Sequence, residues 1–564
     1  MKKQILALTC LIFTLVPGVS FSCSNILVTK GASTDGSTMI TYSADSHVLY
    51  GELYYRPAAE YPDNTMVDVY EWDTGKYMGK IKQARKTYSV VGNMNEHQLV
   101  IGETTFTGRE ELIDTSGAIM DYGSLIYMTL QRAKTAREAI KIMTELVAEY
   151  GYASSGESMS FADPNEVWIF EIIGKGNGKK DAKGKFVKGS YKKGAVWVAV
   201  RIPDGYISAH ANQARIRTFA YQAVNKWDDP KQEIFNSPDV ITVAREMGYF
   251  KGEDKDFSFC DAYAPINFGG ARFCEARVWA VFNRCNSDMG KYLDYAKGEN
   301  LTNRMPLYIK PDKKLSVHDV MELMRDYYQN TPLDMSQDVG AGPYKCIVRW
   351  RPMTWEIDGV GYVHERAIST QQTGFSFVSQ SRSWLPDPVG GIFWFGVDDT
   401  YSTVYSPIYC GSKAVPSKFA EGYGSMMEFK ADAAFWVFNQ VSNLAYTRYN
   451  VMINDIQKVQ KELETNFITY TSVIDKSAAE LFKTDPAKAT DFITEFSCTN
   501  ANYTVEKWQE LYHYLFVRYL DGNVKTAVAG QKNPKVEQPG YGEEWLRRIV
   551  KETGDRYKAH GSSH

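Results

Sequence analysis

The first 23 residues place a cysteine directly behind a predicted export signal. After a basic start, residues 5–19 are mostly apolar, and Ser20 and Ser22 stand three and one positions before Cys23. Small residues at these two positions are typical of a signal-peptidase cleavage site. We therefore predict a signal peptide over residues 1–22 and an exported mature chain that begins at Cys23.

A cysteine at a mature N-terminus carries two reactive groups on one residue. A free α-amino group has a pKa of about 8 and a free thiol one of about 8.5. The amine can therefore accept the thiol proton, and the resulting thiolate is a strong nucleophile. An intact signal peptide converts that amine into an amide, so export would also activate Cys23. The alternative is an ordinary buried or bridged cysteine.

Cys23 could also be the lipidated cysteine of a surface lipoprotein. Such sites usually carry Leu at position −3 and a small residue at −2, whereas this chain has Ser20 and Phe21 there. Lipidation would also block the α-amino group. In that case the chain would be a non-catalytic surface lipoprotein or binding protein.

Composition excludes several other classes. The chain has 564 residues, 44% of them hydrophobic, and a net charge of −3. There is no basic excess of the kind that nucleic-acid binding requires. After the predicted signal peptide, no run reaches the roughly 18 apolar residues of a membrane span. We expect no nucleic-acid partner and a periplasmic, cell-surface or extracellular location.

The remaining cysteines leave disulfides open. Beyond Cys23 the mature chain has six, an even number that is compatible with bridges in an exported protein. Cys260, Cys274 and Cys285 are close enough in sequence for one local bridge to be plausible.

Two regions differ in periodicity. Residues 23–427 predict mixed α/β structure, and residues 428–564 a helical C-terminal region in which apolar residues recur every three or four positions. Helix starts are predicted at Thr135, Ser316 and Asp485. The predicted strands are rich in β-branched and aromatic residues: Asn25–Thr29, Thr38–Tyr42, Leu99–Thr105, Val167–Ile173, Val196–Ile202 and Ile392–Val397.

Familiar catalytic and cofactor motifs are missing. The eight histidines form no HExxH pattern, and there is no GxSxG motif, so we expect neither a catalytic metal nor an α/β-hydrolase serine. The Gly/Lys-rich residues 174–193 lack the order of a phosphate-binding loop and predict an exposed hairpin tip. We expect no cofactor.

Several segments together resemble the dipeptidase A family of N-terminal-nucleophile hydrolases, relatives of penicillin V acylase and conjugated bile acid hydrolase. The resemblance begins at Cys23 and extends, in order, to about residue 415. Eleven segments of the sequence carry it. They are Cys23–Val28, Gly31–Thr38, Asp45-Ser46, Asn95-Glu96, Gly102–Thr104, Gly156–Ser158, Ala162-Asp163, Glu166–Trp168, Ala211–Ile216, Arg277–Trp279 and Ser379–Trp394.

The resemblance implies an α+β fold, the four-layer αββα sandwich of these hydrolases, with the helical C-terminal region added. It also implies a role for particular residues. Cys23 would be the nucleophile, Asp45 would orient its thiol or amine, and Asn212 would donate to the oxyanion. A backbone N–H near Thr105 would be a second oxyanion donor. Arg277 would hold the charge network beside the nucleophile.

One position departs from the family pattern and leaves the substrate open. Relatives often carry Arg three residues before the aspartate, where this chain has Tyr42, which cannot grip a carboxylate with two donors. We expect a cysteine-type dipeptidase acting on short peptides. The alternatives are an amidase or acylase for N-acyl amino acids, bile-acid conjugates or penicillin-type amides, and an amidase for peptidoglycan fragments. The sequence does not indicate an oligomeric state.

Overall fold

The computed structural model describes residues 23–114, 117–177, 182–183 and 192–559. The predicted signal peptide, and most of the predicted hairpin tip within residues 174–193, lie outside the described residues. Strands and α-helices are numbered below in their order along the chain.

Seven of the described strands form one antiparallel sheet. Its order is β16-β14-β1-β2-β19-β20-β21, so the strand that follows Cys23 lies near the centre. The strands are β1 (Asn25–Val28), β2 (Met39–Asp45), β14 (Ile207–His210), β16 (Tyr308–Ile309), β19 (Thr373–Ser381), β20 (Gly391–Val397) and β21 (Ser406–Tyr409).

A second antiparallel sheet contains eight described strands in the order β15-β13-β12-β11-β10-β9-β8-β3. These are β3 (Tyr55–Arg56), β8 (Val90–Val91), β9 (Met94–Asn95), β10 (Val100–Thr107), β11 (Gly156–Ala162), β12 (Val167–Gly174), β13 (Ala195–Arg201) and β15 (Ile234–Asn236).

The helices are distributed around these sheets. They are α1 (Tyr122–Leu130), α2 (Ala136–Tyr150), α3 (Val240–Glu246), α4 (Phe259–Tyr263), α5 (Ala276–Cys285), α6 (Leu293–Ala296), α7 (Val317–Met324), α8 (Asp387–Gly390), α9 (Ala434–Thr447), α10 (Tyr449–Thr484), α11 (Pro486–Tyr519) and α12 (Glu543–Thr553).

The two large sheets pack against each other through alternate side chains. Along β10, Val100 belongs to the apolar core shared with β1 and β2, whereas Ile101 belongs to a separate core with α1 and α2. Successive side chains of a strand point to opposite faces, so one face of this sheet contacts the other sheet and the opposite face contacts helices. Gly102 allows the close approach, since a Cβ there would lie 2.8 Å from the Asn25 side chain.

Four small two-stranded sheets complete the described strands. They pair β4 (Ala59–Glu60) with β7 (Lys86–Thr87), β5 (Met66–Tyr70) with β6 (Tyr77–Lys82), β17 (Thr354–Ile357) with β18 (Val360–Val363), and β22 (Val524–Thr526) with β23 (Lys535–Glu537). The last pair lies in the C-terminal region, which is otherwise mostly helical.

All six predicted strands form, with ends that differ by at most three residues. The predicted helix starts are also confirmed: Ser316 caps α7 in a complete capping box, and Asp485 caps α11 ahead of Pro486. At α2 the box is incomplete. The Thr135 hydroxyl accepts from the Glu138 backbone, but the Glu138 carboxylate accepts from the Lys134 N–H instead.

The local bridge that the spacing of Cys260, Cys274 and Cys285 left open does not form, and all seven cysteines of the described chain are unbridged. Cys260 lies in α4, where its sulfur accepts from Arg304 at 3.5 Å, and Cys285 is the last residue of α5. Across the described residues, we find no helix whose length and apolarity would let it cross a membrane.

Candidate active site

A cavity of about 260 Å³ opens beside the first described residue, Cys23. Its walls come from β2, β10, the start of α1 and the segments around β3. Polar and acidic side chains line the part nearest the cysteine, and aromatic side chains line the rest. They include Cys23, Tyr42, Asp45, Glu52, Tyr54, Trp72, Asp73, Glu103, Thr105, Tyr122, Tyr127, Phe375 and Glu421.

The Cys23 thiol is enclosed by three groups from two strands. Its sulfur lies 3.8 Å from the Tyr42 hydroxyl oxygen and 3.9 Å from Glu103 Oε1. The backbone N–H of Asp45 also donates to it. Cys23 is only 3% exposed.

The surroundings of Cys23 favour the protonated thiol. Burial raises the pKa of Cys23 well above its ordinary value, and the negative charges of Glu103 and Asp45 raise it further. The hydrogen bond from the Asp45 backbone and the one between the thiol and the Tyr42 hydroxyl oxygen oppose this shift of the pKa. A thiol in this state needs a base within reach before it can act as a nucleophile.

Arg277 joins the nucleophile's backbone to the loop after β14. The guanidinium, fully buried on α5, donates to the Cys23 carbonyl oxygen and, at 2.8 Å, to the Ser24 hydroxyl. Its other terminal nitrogen donates to Asn212 Oδ1 at 2.8 Å and to the Ala211 carbonyl at 3.2 Å. A planar guanidinium can hold several acceptors in fixed directions, which lysine cannot do.

Asn212 is fixed in both backbone and side chain. Its φ of +60° is left-handed, a conformation that asparagine adopts more readily than most residues. Arg277 binds its side-chain oxygen, which leaves the amide nitrogen as donor, and that nitrogen donates to the Thr105 carbonyl at 2.7 Å. Thr105 lines the cavity, whereas Asn212 and Arg277 lie behind the lining.

The Asp45 carboxylate is held away from solvent by its own partners. Arg366 donates to Oδ2 at 2.6 Å, Ser43 donates to the same oxygen at 3.2 Å, and Thr373 donates to Oδ1 at 2.7 Å. Burial raises the pKa of Asp45, and the Arg366 guanidinium opposes that rise. The side chain therefore anchors the segment whose backbone N–H contacts the thiol.

A pair of buried carboxyl groups lies directly beyond the thiol. Tyr42 donates to Glu103 Oε1 at 2.5 Å, and Thr105 donates to Glu157 Oε1 at 2.8 Å. Oε2 of Glu103 and Oε2 of Glu157 are both buried, and neither has a hydrogen-bond partner in the described chain. Burial raises the pKa of Glu103 to about 7 and that of Glu157 still further from its ordinary value.

The structure brings all six sequence-predicted residues into one connected group. Cys23, Tyr42, Asp45 and Thr105 line the cavity, and Asn212 and Arg277 connect to it through the hydrogen bonds above. Their catalytic roles stay predictions. In the part of the chain that the structure describes, no three His, Cys, Asp or Glu side chains are grouped as metal ligands.

Three site residues were not singled out from the sequence. Glu103 and Glu157 lay within segments that carried the resemblance but received no role. A glutamate among the otherwise uncharged residues of a strand is the signal that would have identified them, because carboxylates are rarely fully buried unless they are paired. Arg366 precedes β19 in a stretch with no regular pattern, and nothing local in the sequence indicates that it contacts Asp45.

Several relatives match most of this chain at low identity. A probable dipeptidase of Latilactobacillus sakei is 22% identical over 475 residues, covering 81% of this chain and 88% of the relative. A probable dipeptidase of Salmonella dublin is 23% identical over 416 residues, covering 70% and 82%. Dipeptidase A of Lactobacillus helveticus is 22% identical over 450 residues, covering 76% and 83%.

These matches confirm the resemblance to the dipeptidase A family, and a family model gives the same result. The model for peptidase family C69 matches residues 22–462, which begins one residue before Cys23 and includes every predicted site residue. The match extends over both large sheets and reaches into α10. The chain belongs to peptidase family C69.

Proposed function

We propose that this chain is an exported cysteine-type dipeptidase whose nucleophile is Cys23, freed as the first residue by removal of the signal peptide. The observation that carries the proposal is the position of Cys23. It is the residue after the predicted cleavage site and, among the seven described cysteines, the one that lines the cavity. The relatives named as dipeptidases support a peptide substrate.

The proposed reaction uses the two groups of Cys23 in turn. The free α-amino group accepts the thiol proton, and the thiolate attacks the scissile carbonyl carbon to form a tetrahedral intermediate. The amine then gives this proton to the leaving amino group as the C–N bond breaks, which leaves a thioester. Water, deprotonated by the same amine, hydrolyses the thioester and restores the thiol.

The surrounding residues would support this reaction by position and charge. Arg277 occupies the Asn212 oxygen and the Thr105 carbonyl accepts one hydrogen of its amide nitrogen, so the second amide hydrogen would donate to the developing oxyanion. A backbone N–H near Thr105 is the proposed second donor. Asp45 would position the thiol through its backbone N–H, while the Arg366 guanidinium compensates the negative charge of the Asp45 carboxylate.

The family's fold is part of the same proposal. Two antiparallel sheets in contact, with α1 and α2 on the free face of one of them, support the four-layer αββα sandwich. Residues 23–427 would form this hydrolase domain, and 428–564 the helical addition. No cofactor has a role in the proposed reaction.

A substrate panel tests the proposed function. The mature protein, beginning at Cys23, should release amino acids from unmodified dipeptides and lose this activity at least about 1,000-fold in Cys23→Ala. N-acyl amino acids, a bile-acid conjugate, penicillin V and a peptidoglycan stem peptide represent the alternative substrates. Faster turnover of any of these than of every dipeptide would contradict the dipeptidase assignment.

A further inference from the structure

The cavity beside Cys23 has a strongly one-sided charge. Of the described residues that line it, five are acidic and none is basic; they are Asp45, Glu52, Asp73, Glu103 and Glu421. Two of the five have a basic partner behind the wall. Asp45 is paired with Arg366 and Glu421 with Arg56, each at 2.6 Å.

Glu103 is the acidic group closest to the chemistry and has no such partner. It is 1% exposed, lies 3.9 Å from the Cys23 sulfur through Oε1, and makes no ion pair with a basic side chain in the described chain. The charged and titratable groups around it are Tyr42, Glu157, Asp73 and the thiol itself, all acidic. Burial without a cation raises the pKa of Glu103 to about 7.

The geometry of a dipeptide fixes where its ammonium group must go. The amino nitrogen is separated from the scissile carbonyl carbon by one Cα, which places the two about 2.5 Å apart. A carbonyl carbon in position for attack lies about 3–3.5 Å from the sulfur. The ammonium must therefore lie within about 6 Å of the Cys23 sulfur, the zone that the Glu103 carboxyl occupies.

We infer that Glu103 binds the free α-ammonium group of the substrate and thereby restricts the enzyme to peptides with an unblocked amino terminus. This rests on the proposed function and specifies its substrate class. No basic side chain of the described chain pairs with Glu103, and the proposed mechanism uses the Cys23 α-amino group for proton transfer. Tyr42 holds Oε1 in place through its hydroxyl, so the residue that replaces the family's arginine serves to position this carboxylate. Asp73, which also lines the cavity, adds negative charge near the same group.

The inference predicts a selectivity that one pair of substrates measures. Phenylalanyl-glycine and 3-phenylpropionyl-glycine have the same scissile amide and the same side chain, and differ only by the amino group. The wild-type mature protein should favour the first by about 100-fold in kcat/KM, because a site built to bind a polar group rejects the analogue that lacks it. Glu103→Gln should reduce this ratio to within about threefold of unity by losing activity on phenylalanyl-glycine alone.

Asp398→Asn is the matched control. Asp398 is also a buried carboxyl whose pKa burial raises to about 7, but it accepts from Ser442 and Asn439 outside the cavity. Its replacement should leave the substrate ratio unchanged. Because Glu103→Gln could impair folding, competitive inhibition of the wild-type protein provides a second measurement. Phenylalanine amide should inhibit at least about 30 times more strongly than 3-phenylpropanamide.

The outcomes separate the inference from the proposed function. Equal wild-type turnover of the two substrates, or equal inhibition by the two amides, would overturn the inference while the peptidase activity stands. An equal loss on both substrates in Glu103→Gln would assign Glu103 to proton transfer or structure and would also overturn it. Failure of the wild-type protein to hydrolyse any dipeptide would instead remove the proposed function.

Discussion

Arg277 donates to Asn212 Oδ1 at 2.8 Å while the same guanidinium holds the Cys23 carbonyl. The nucleophile and the proposed oxyanion donor are therefore fixed by one side chain on α5. Since all the acceptors of this buried guanidinium are buried or partly buried, removing it leaves polar groups without a partner.

We expect Arg277→Met to lower the free energy of unfolding by about 3 kcal/mol, the range for removing one member of a buried charged network. Arg277→Lys should recover less than half of this loss, because an ammonium cannot reach the same acceptors. Urea unfolding followed by circular dichroism measures both. Arg85→Met is the control, since its exposed pair with Asp63 should contribute less than about 1 kcal/mol.

Asn212 should matter for the rate of the chemical step. We expect Asn212→Gly to lower kcat by about 100-fold or more with little change in KM, as for loss of an oxyanion donor. Glycine is chosen because it adopts the left-handed φ without strain. Asn212→Ala also removes the amide but adds backbone strain. Comparing the two variants therefore separates the effect on stability from the effect on catalysis. A normal kcat in the glycine variant would remove Asn212 from the oxyanion site.

Tyr42 should tune the reactivity of the thiol. Its hydroxyl lowers the pKa of Cys23, so Tyr42→Phe should raise that pKa and slow alkylation of the thiolate by iodoacetamide at pH 8. The pH profile of the alkylation rate measures this shift directly. Peptide mapping by mass spectrometry assigns the label to Cys23, because Cys274, Cys346 and Cys498 are also partly exposed. An unchanged or faster rate would contradict the assigned contact.

The Glu103–Glu157 pair should make stability depend on pH in an unusual direction. The folded pKa of Glu103, about 7, lies above its unfolded value of about 4.5, so folding favours the protonated carboxyl. Its contribution is fully present below pH 4.5 and is lost as pH rises through 7, a change of about 3 kcal/mol. Urea unfolding from pH 4.5 to 8 should show this decline, and Glu103→Gln should make it smaller by about this amount, while Glu157 and Asp398, whose pKa values are also raised, keep their own contributions. A contribution that increases over this range would contradict the buried acid pair.

The sequence was most informative where a pattern is local. Strand alternation and helix caps such as Ser316 predicted the elements, because they depend on residues within a few positions of each other. The group around Cys23 could be predicted only through the resemblance, since Asn212 and Arg277 come from distant segments. The partners that depend on tertiary packing alone, Arg366 for Asp45 and Glu157 for Glu103, were not predictable, and neither were the unbridged cysteines.

The most direct test of the account is the dependence of activity on the N-terminus of the chain. The exported protein should give an intact mass and an N-terminal sequence that begin at an unmodified Cys23, and it should hydrolyse dipeptides. The same chain with one alanine added before Cys23 keeps the thiol but loses the α-amino group of the cysteine as a base. It should be at least about 100-fold less active. Full activity in that extended chain, or an active exported protein whose Cys23 amine is acylated, would contradict the N-terminal-nucleophile mechanism.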